Sequence, residues 1–452
     1  MQGLIDLLQV VSDVLWGPAM LVLLVGTGVF LTFKLRFLTF RKIPQGFAYL
    51  WKGRKHMGDA SGELSPFNAL MTALAATIGT GNIVGVATAI YFGGPGALFW
   101  MWVTALAGMA TKFAEIVLAV HYREVTPAGN YVGGAMYFIK NGLGKKWAWL
   151  GACFAVFGVF ASFGIGNLVQ NNSIAGALES TFSVPTWLTG VALFFIIGAV
   201  VIGGVRRIGE VAGRIVPLMA FIYIVISLII IVLNISEVPR VFAFVVADAF
   251  TPTAAQGGFI GASVMMAIRM GMARGVFSNE AGLGSAPIAH AAAVTSSPVQ
   301  QGFIGMLDVF IDTIIVCSMT AFVVMVTDSW TTGLNGAALT ARAFETSLPG
   351  FGAGIVAVCL TFFALTTCLG WVVYGERCII YLFGDKAQKP FRIIFCLAVP
   401  LGCLGKLDIV WILADIFNAL MAIPNLIGVL LLSPVICRLV NEYLATHKSV
   451  EF

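Results

Sequence analysis

The chain alternates long apolar runs with short polar stretches. Eleven runs fall at roughly 14–33, 66–92, 97–120, 147–175, 186–203, 211–233, 257–290, 300–327, 351–382, 391–405 and 408–436. An α-helix needs about 20 such residues to cross about 30 Å of hydrocarbon. A transmembrane barrel would show alternating strands of about 10 residues instead. The pattern therefore predicts an all-α polytopic membrane protein of about 11 transmembrane helices.

Two runs are interrupted. Residues 77–85 read Thr-Ile-Gly-Thr-Gly-Asn-Ile-Val-Gly, which sets Gly79, Gly81, Gly85 and Asn82 inside an apolar run. Each glycine weakens a helix by about 1 kcal/mol relative to alanine. Lipid cannot satisfy the N–H and C=O groups a break releases, so a break survives only against protein or a water-filled cavity. Residues 270–284, Met-Gly-Met-Ala-Arg-Gly-Val-Phe-Ser-Asn-Glu-Ala-Gly-Leu-Gly, form the second candidate. Paired interruptions in two halves point to a transporter's midplane site.

With the first run set aside as peripheral, ten remain, in two groups of five that each open on an interrupted run. Five is odd, so the groups have opposite orientation, the inverted-repeat plan. The expected divisions are 1–65 (peripheral helix and basic loop), 66–235 and 236–436 (the two repeats), and 437–452 (tail). Residues 34–63 suggest an interfacial helix near Pro44–Trp51, and 236–256 and 328–350 suggest short outer helices or gates.

Composition agrees with the pattern. The chain is 59% hydrophobic and 10% charged, against about 25% charged in soluble domains. A net charge of +5 raises the question of nucleic acid. Its placement answers it: nineteen Lys and Arg lie in alternate loops and the tail, against three on the opposite side (Arg240, Arg342 and Lys406). That asymmetry predicts an outer N-terminus and a cytoplasmic C-terminus, and no nucleic-acid surface. The start is not basic, so no cleavable signal peptide is expected. The eight cysteines form no CxxC pair and read as small apolar packers, and the four histidines form no metal pattern.

Several polar groups could carry function. Open N–H groups at Gly79, Thr80 and Gly81 would cradle a carboxylate, with Asn82, Thr77 and Thr80 as uncharged ligands. Close helix packing through the Gly81–Gly85 pair is the alternative. In the second break, the backbone at Ala273, Arg274, Gly275 and Val276 would offer carbonyls to an ammonium group, and Phe277 would cover it. Arg274 and Glu280 would form a gate or ion pair, since charges in a membrane helix are usually paired and functional; a position beyond the hydrocarbon edge is the alternative. Asn167, Gln170 and Asn171 share a helical face. Gln170 suits a zwitterion, although such amides also glue helices together. Thr361, Thr366 and Thr367 offer oxygens to a small cation or bond back to their own helix. Lys112 and Glu115 read as a structural pair, and Asp308 and Asp312 as proton sensors or packers.

Residues 93–108, Gly-Gly-Pro-Gly-Ala-Leu-Phe-Trp-Met-Trp-Val-Thr-Ala-Leu-Ala-Gly, resemble the signature of the alanine/glycine:cation symporter family, usually called sodium:alanine symporters. The preceding Gly-Thr-Gly-Asn and the run Ser-Asn-Glu-Ala-Gly-Leu-Gly-Ser-Ala-Pro at 278–287 resemble it too, and the likeness covers nearly the whole chain. It implies the leucine-transporter-like fold of the amino acid–polyamine–organocation group, with 5+5 inverted repeats and one additional peripheral helix. It also implies sodium-driven uptake of alanine or glycine by alternating access, with no organic cofactor. Gly79 and its neighbours, Gln170 and the backbone at 273–276 would contact substrate. Thr366 and Thr367, with carbonyls near Ala75 and Ile78, would bind sodium. Phe163, Phe277 and Trp371 would wall a small pocket. A channel would need a tandem filter motif, and an intramembrane enzyme a catalytic constellation; the sequence shows neither. A proton-coupled carrier of another solute on the same fold stays open.

Overall fold

The computed structural model describes residues 2–54, 61–251, 264–405 and 408–446. Lys55, His56, Lys406, His447, Lys448, the opening of the seventh run and the last six residues lie outside them. Every predicted run is occupied by helix where it is described. Among the described residues, seven helices are long and apolar enough to span, and a bent pair makes an eighth. Three further runs hold helices of 16 residues each, Thr186–Val201, Val264–Asn279 and Gln388–Cys403. Over the described residues each is shorter than the usual crossing length, and Val264 is the first residue described after a gap, so described helix length alone does not reach the expected eleven.

The peripheral N-terminal run is two helices, Gln2–Leu15 and Pro18–Lys34, parted at Trp16–Gly17. The basic loop holds a helix at Ile43–Lys52, and the loops expected on the outer face hold helices at Val238–Asp248 and Gly336–Ser347.

The first interrupted run is broken as expected. Ser65 starts it: its hydroxyl accepts from the Asn68 N–H at 3.1 Å, with Pro66 in the first turn. Such caps satisfy donors that the helix itself leaves open. The helix ends at Thr77, Ile78 turns extended (ψ 92°), and a π-helical turn runs over Gly81–Gly85. The two halves meet at a 50° bend.

The second interruption lies further along than its glycines suggested. Helix is continuous over Val264–Asn279, so the backbone at Ala273, Arg274, Gly275 and Val276 is helical. Its carbonyls are not the free ones expected, because the helix stops only where Glu280 takes a left-handed φ of 55°. Gly282 and Gly284 follow at φ 91° and 78°, and helix resumes at Ala286–Ala291. Gly275 instead gives room to the signature helix, Gly96–His121: a β-carbon there would meet Met101 and Thr104 at about 3.5 Å.

The two broken helices touch beside their interruptions. A β-carbon on Gly81 would stand 3.2 Å from Ser278 Cα. The helix Gly352–Phe383 closes another side, where a β-carbon on Gly79 would overlap the Thr367 hydroxyl. At Gly79 the Thr367 hydroxyl already fills the space a β-carbon would need, and at Gly81 a β-carbon would be tight against Ser278.

This close approach sets a test. Gly79→Ala should cost about 1–3 kcal/mol of stability through overpacking. It should lower the apparent melting temperature in detergent, and Gly79→Ala/Thr367→Ala should recover most of the loss. An unshifted melting curve for Gly79→Ala would show that the two helices are not in contact.

Candidate functional site

The site is assembled around the helix Pro298–Val326, which starts from a Ser297 cap and carries a π-helical stretch over Phe310–Cys317. π-turns occur often at functional sites. Here one places Asp312 between the two breaks. Asn82 Nδ2 donates to Asp312 Oδ1 at 2.6 Å, Ser278 Oγ donates to Oδ2 at 2.8 Å, and Thr313 Oγ1 donates to Oδ2 at 2.7 Å. Asn279 Nδ2 donates to Thr313 Oγ1 at 3.0 Å. One carboxyl thus joins the first break to the second.

Asp308 makes a second connection on the same helix. It accepts from the Thr77 hydroxyl at 2.7 Å and pairs with Lys112 at 2.9 Å, with neither charged side chain exposed. The expected Lys112–Glu115 pair is therefore corrected: Lys112 reaches across to Asp308, while Glu115 accepts from Asn425 at 2.5 Å. The expected Arg274–Glu280 pair is corrected too. Glu280 accepts from Ser285 at 2.5 Å, while Arg274 stands 5.5 Å from the centre of the Phe277 ring. The reason is geometric: the helix carries Arg274 to a cavity and the left-handed turn carries Glu280 inward, to 3% exposure.

That cavity, about 260 Å³, is lined by Thr80 and Gly85 of the first broken helix, Arg274 and Phe277 of the second, and Trp411 and Asp415 of the helix Asp408–Leu431. A neighbouring cavity of about 350 Å³ shares Arg274, Phe277 and Asp415 and adds Ala273, Asp13 and Arg269. The Thr80 hydroxyl and Arg274 Nε are buried without a hydrogen-bond partner. Polar groups left so are costly unless a ligand or water completes them.

The remaining expected residues divide. Gly79 N–H is not open, since it donates to Asn82 Oδ1 at 2.8 Å. Thr367 Oγ1 bonds back to the Phe363 carbonyl at 3.0 Å and lies 3.4 Å from the Ile78 carbonyl. The Thr366 hydroxyl bonds back to Phe362 and Phe363 at 3.0 and 2.9 Å, and Thr361 to Ala357 at 2.8 Å. Ala75 is fully buried on the helix just before the break. Gly275 and Val276 are packed away, Val276 against the N-terminal helices. Gln170 lies outside both cavities, on a helix that follows a π-turn at Gly164–Leu168 and packs along Gly352–Phe383. Its Nε2 donates to Ile165 at 3.0 Å and its Oε1 has no partner. Asn167 is the interhelical glue of the alternative reading, donating to the Phe395 carbonyl at 2.7 Å. Of the three expected walls, Phe277 faces the cavities, Phe163 packs on Phe391 and Phe395, and Trp371 is buried against Tyr374.

Ser278 is the residue sequence reasoning passed over. Its signal was a small hydroxyl beside Asn279 at the edge of the break. Among the described residues no group of His, Cys, Asp and Glu could hold a metal ion, and all eight cysteines are free.

Two discontinuous helices meeting beside buried, incompletely partnered polar groups are the arrangement that multi-pass membrane transporters use near the bilayer midplane. The description of the sodium:alanine symporter family matches residues 1–451, and the chain belongs to that family. It is 49% identical over 442 residues to the sodium/alanine symporter AgcS of Methanococcus maripaludis, covering 96% of this chain and 95% of that one. It is 38% identical over 455 residues to the probable sodium/glutamine symporter GlnT of Bacillus subtilis, covering 99% and 93%. The fold is shared with a solved manganese transporter of Eremococcus coleocola, with a TM-score of 0.52 and 14% identity over 78% of this chain and 74% of that one.

The buried ion pair sets a second test. Lys112→Met leaves Asp308 charged and alone, which typically costs about 3–5 kcal/mol. The apparent melting temperature should fall clearly, and Lys112→Met/Asp308→Leu should restore much of it. Equal melting of the single variant and the parent would deny the pair.

Proposed function

We propose that this protein is a secondary symporter coupling inward sodium movement to uptake of small neutral amino acids, alanine and glycine, by alternating access. The contact of the two broken helices beside an incompletely partnered cavity carries the reading. A zwitterion would be held by Thr80 and Gly81 from one side and by Ala273, Arg274 and Phe277 from the other, with Gly79 and Asn82, bonded to each other, bracing the first break. Gln170, with its unpartnered oxygen, would reach the substrate from the neighbouring helix. Sodium would be the co-substrate, held by Thr367 and the Ile78 carbonyl with Ala75 and Thr366. Carbonyl and hydroxyl oxygens suit a hard monovalent cation. Because Ile78 and Gly79 are adjacent, each solute would stiffen the other's site, and that mutual effect is the coupling.

Alternating access draws support from an asymmetry along the molecule. At one end the chain entering the first broken helix is bonded to the chain leaving the second: Leu64 N–H donates to the Ala292 carbonyl at 3.0 Å, and Val294 N–H to the Leu64 carbonyl at 2.7 Å. Arg123 donates to the Ala291, Ala293, Ser61 and Thr295 carbonyls, and Arg377 pairs with Glu63 at 2.7 Å. The cavities lie away from this seal, beside the N-terminal helix through Gln9. In the proposed arrangement residues 66–235 and 236–436 are the repeats that move against each other. The N-terminus lies outside, the C-terminus in the cytoplasm, and the seal on the cytoplasmic face.

Purified protein in proteoliposomes should accumulate labelled alanine under an inward sodium gradient, and accumulation should stop when choline replaces sodium. Unlabelled alanine and glycine should compete, and leucine far less. Equal competition by leucine would refute a small pocket, and sodium-independent uptake would refute the coupling. Gln170→Ala should weaken alanine binding by about tenfold, the effect of one lost hydrogen bond of about 1.4 kcal/mol. Unchanged affinity would remove Gln170 from the site.

A further inference from the structure

An apolar groove of about 640 Å³ lies between the helices Thr186–Val201 and Gln388–Cys403, away from both broken helices. Phe194, Phe195 and Ile202 form one wall, and Ile393, Cys396 and Leu397 the other. Gly198 keeps it open: nothing lies within 4 Å of where a β-carbon would stand there. Phe195, Ile202, Ile393 and Leu397 are exposed, so in a membrane protein this face meets hydrocarbon. A second groove, of about 780 Å³, runs between the N-terminal helices and the second broken helix, with Val14, Leu21, Ile268 and Met272 among its walls. Its charges are matched already, because Asp13 and Arg269 pair across it at 2.8 Å.

The first groove ends differently. Its two helices run antiparallel: a β-carbon on Gly190 would meet Cys403 at 3.3 Å at one end, and one on Gly204 would meet Arg392 Nη2 at 2.9 Å at the other. The Arg392 end is basic. Arg392 pairs with the buried Glu376 through Nε and Nη2, and Gln388 donates to the same carboxylate at 2.7 Å. That pair is neutral, and Arg392 Nη1 keeps no partner among the described residues. Lys389 lines the same mouth, exposed and also without a partner among the described residues. Arg206 and Arg207 are exposed at the start of the helix Gly204–Leu233, with the Arg207 side chain folded over Gly203, next to Ile202. Of the nearby acids, Asp385 is held by Thr126 and Asn130, which leaves Glu210 against three cations.

We propose that this groove is a binding site for an anionic phospholipid, with the phosphate at Lys389 and Arg392 Nη1 and one acyl chain lying between Phe195 and Leu397. The chemistry selects the occupant. A neutral lipid makes no use of the cations, and a soluble anion makes no use of the apolar walls. A molecule carrying a phosphate at the end of a hydrocarbon chain uses both. Residues 194–202 extend along the groove for about 12 Å, the scale of a chain rather than of a headgroup. Long basic side chains at the membrane edge keep their stems in hydrocarbon and their charges at the phosphates. The groove beside the N-terminal helices offers similar walls but no uncompensated charge, so it does not select an anionic lipid. This site is independent of what the protein transports.

Native mass spectrometry of the full-length protein in detergent, titrated with dioleoyl phosphatidylglycerol or dioleoyl phosphatidylcholine, tests this. Phosphatidylglycerol should bind more tightly than phosphatidylcholine. Lys389→Ala should weaken phosphatidylglycerol about fivefold, the equivalent of about 1 kcal/mol for one cation at the surface, and leave phosphatidylcholine unchanged. The Lys389 side chain is exposed and unpartnered, so this variant keeps the fold. Gly198→Leu puts a side chain into open space and blocks the acyl chain, so it should weaken phosphatidylglycerol at least as much. Gly26→Leu does the same to the groove beside the N-terminal helices, where Gly26 also has nothing within 4 Å, and should leave the preference intact. Equal binding of the two lipids by the parent protein overturns the proposal, and so does unchanged phosphatidylglycerol binding in Lys389→Ala or in Gly198→Leu. An equal loss in Gly26→Leu overturns it as well, since it would mean a general lipid coat. So does a dimer that Gly198→Leu separates, which would make this face a contact between two copies of the chain.

Discussion

Everything distinctive here follows from one constraint: a helix that opens inside lipid must find partners for the backbone groups it releases. The first break meets that demand locally, with Asn82 taking the Gly79 N–H, and across the fold, with Thr320 donating to the Asn82 carbonyl at 2.7 Å and Thr340 to the Ile83 carbonyl at 3.1 Å. The second break uses Asn279, whose side chain accepts the Ala281 N–H at 3.0 Å. What these partners leave unfilled, near Thr80 and Arg274, is the space a polar solute would complete.

The helix Pro298–Val326 acts as the crosspiece. Through Asp308 it holds the end of the first half-helix to Lys112, and through Asp312 it holds the first break to the second. Neither connection involves an exposed group, so solvent does not screen them, and losing either partner leaves a polar group stranded. The alternating access proposed above would require these bridges to be either made or broken, since its moving parts must hold discrete arrangements.

Much of this was legible along the chain, for reasons that differ by element. The spans were legible because lipid imposes long apolar runs, and the first break because Gly79 and Gly81 stand together with Asn82. The second break was read too early. Gly271 is a glycine of close packing, where a β-carbon would collide with the Ala97 carbonyl, while one on Gly275 would only reach ordinary contact with Met101. Gly282 and Gly284 are glycines of conformation, at positive φ. The two kinds are identical in a sequence. The Lys112–Asp308 pair and the Asp312 bridge were not legible as contacts, because their members come from separate spans and only the tertiary packing brings them together. Helix spacing put Asp308 and Asp312 on one face without saying what that face meets.

Transport as proposed requires the solute to lie at the junction of the two breaks. The most direct measurement is an experimental structure determined with sodium and alanine bound. It should show alanine density touching Thr80 and Gly81 on one side and Phe277 on the other, with an ion near Ile78 and Thr367. Density for the amino acid in the neighbouring cavity of about 350 Å³ alone, or against a face that neither broken helix reaches, would contradict it.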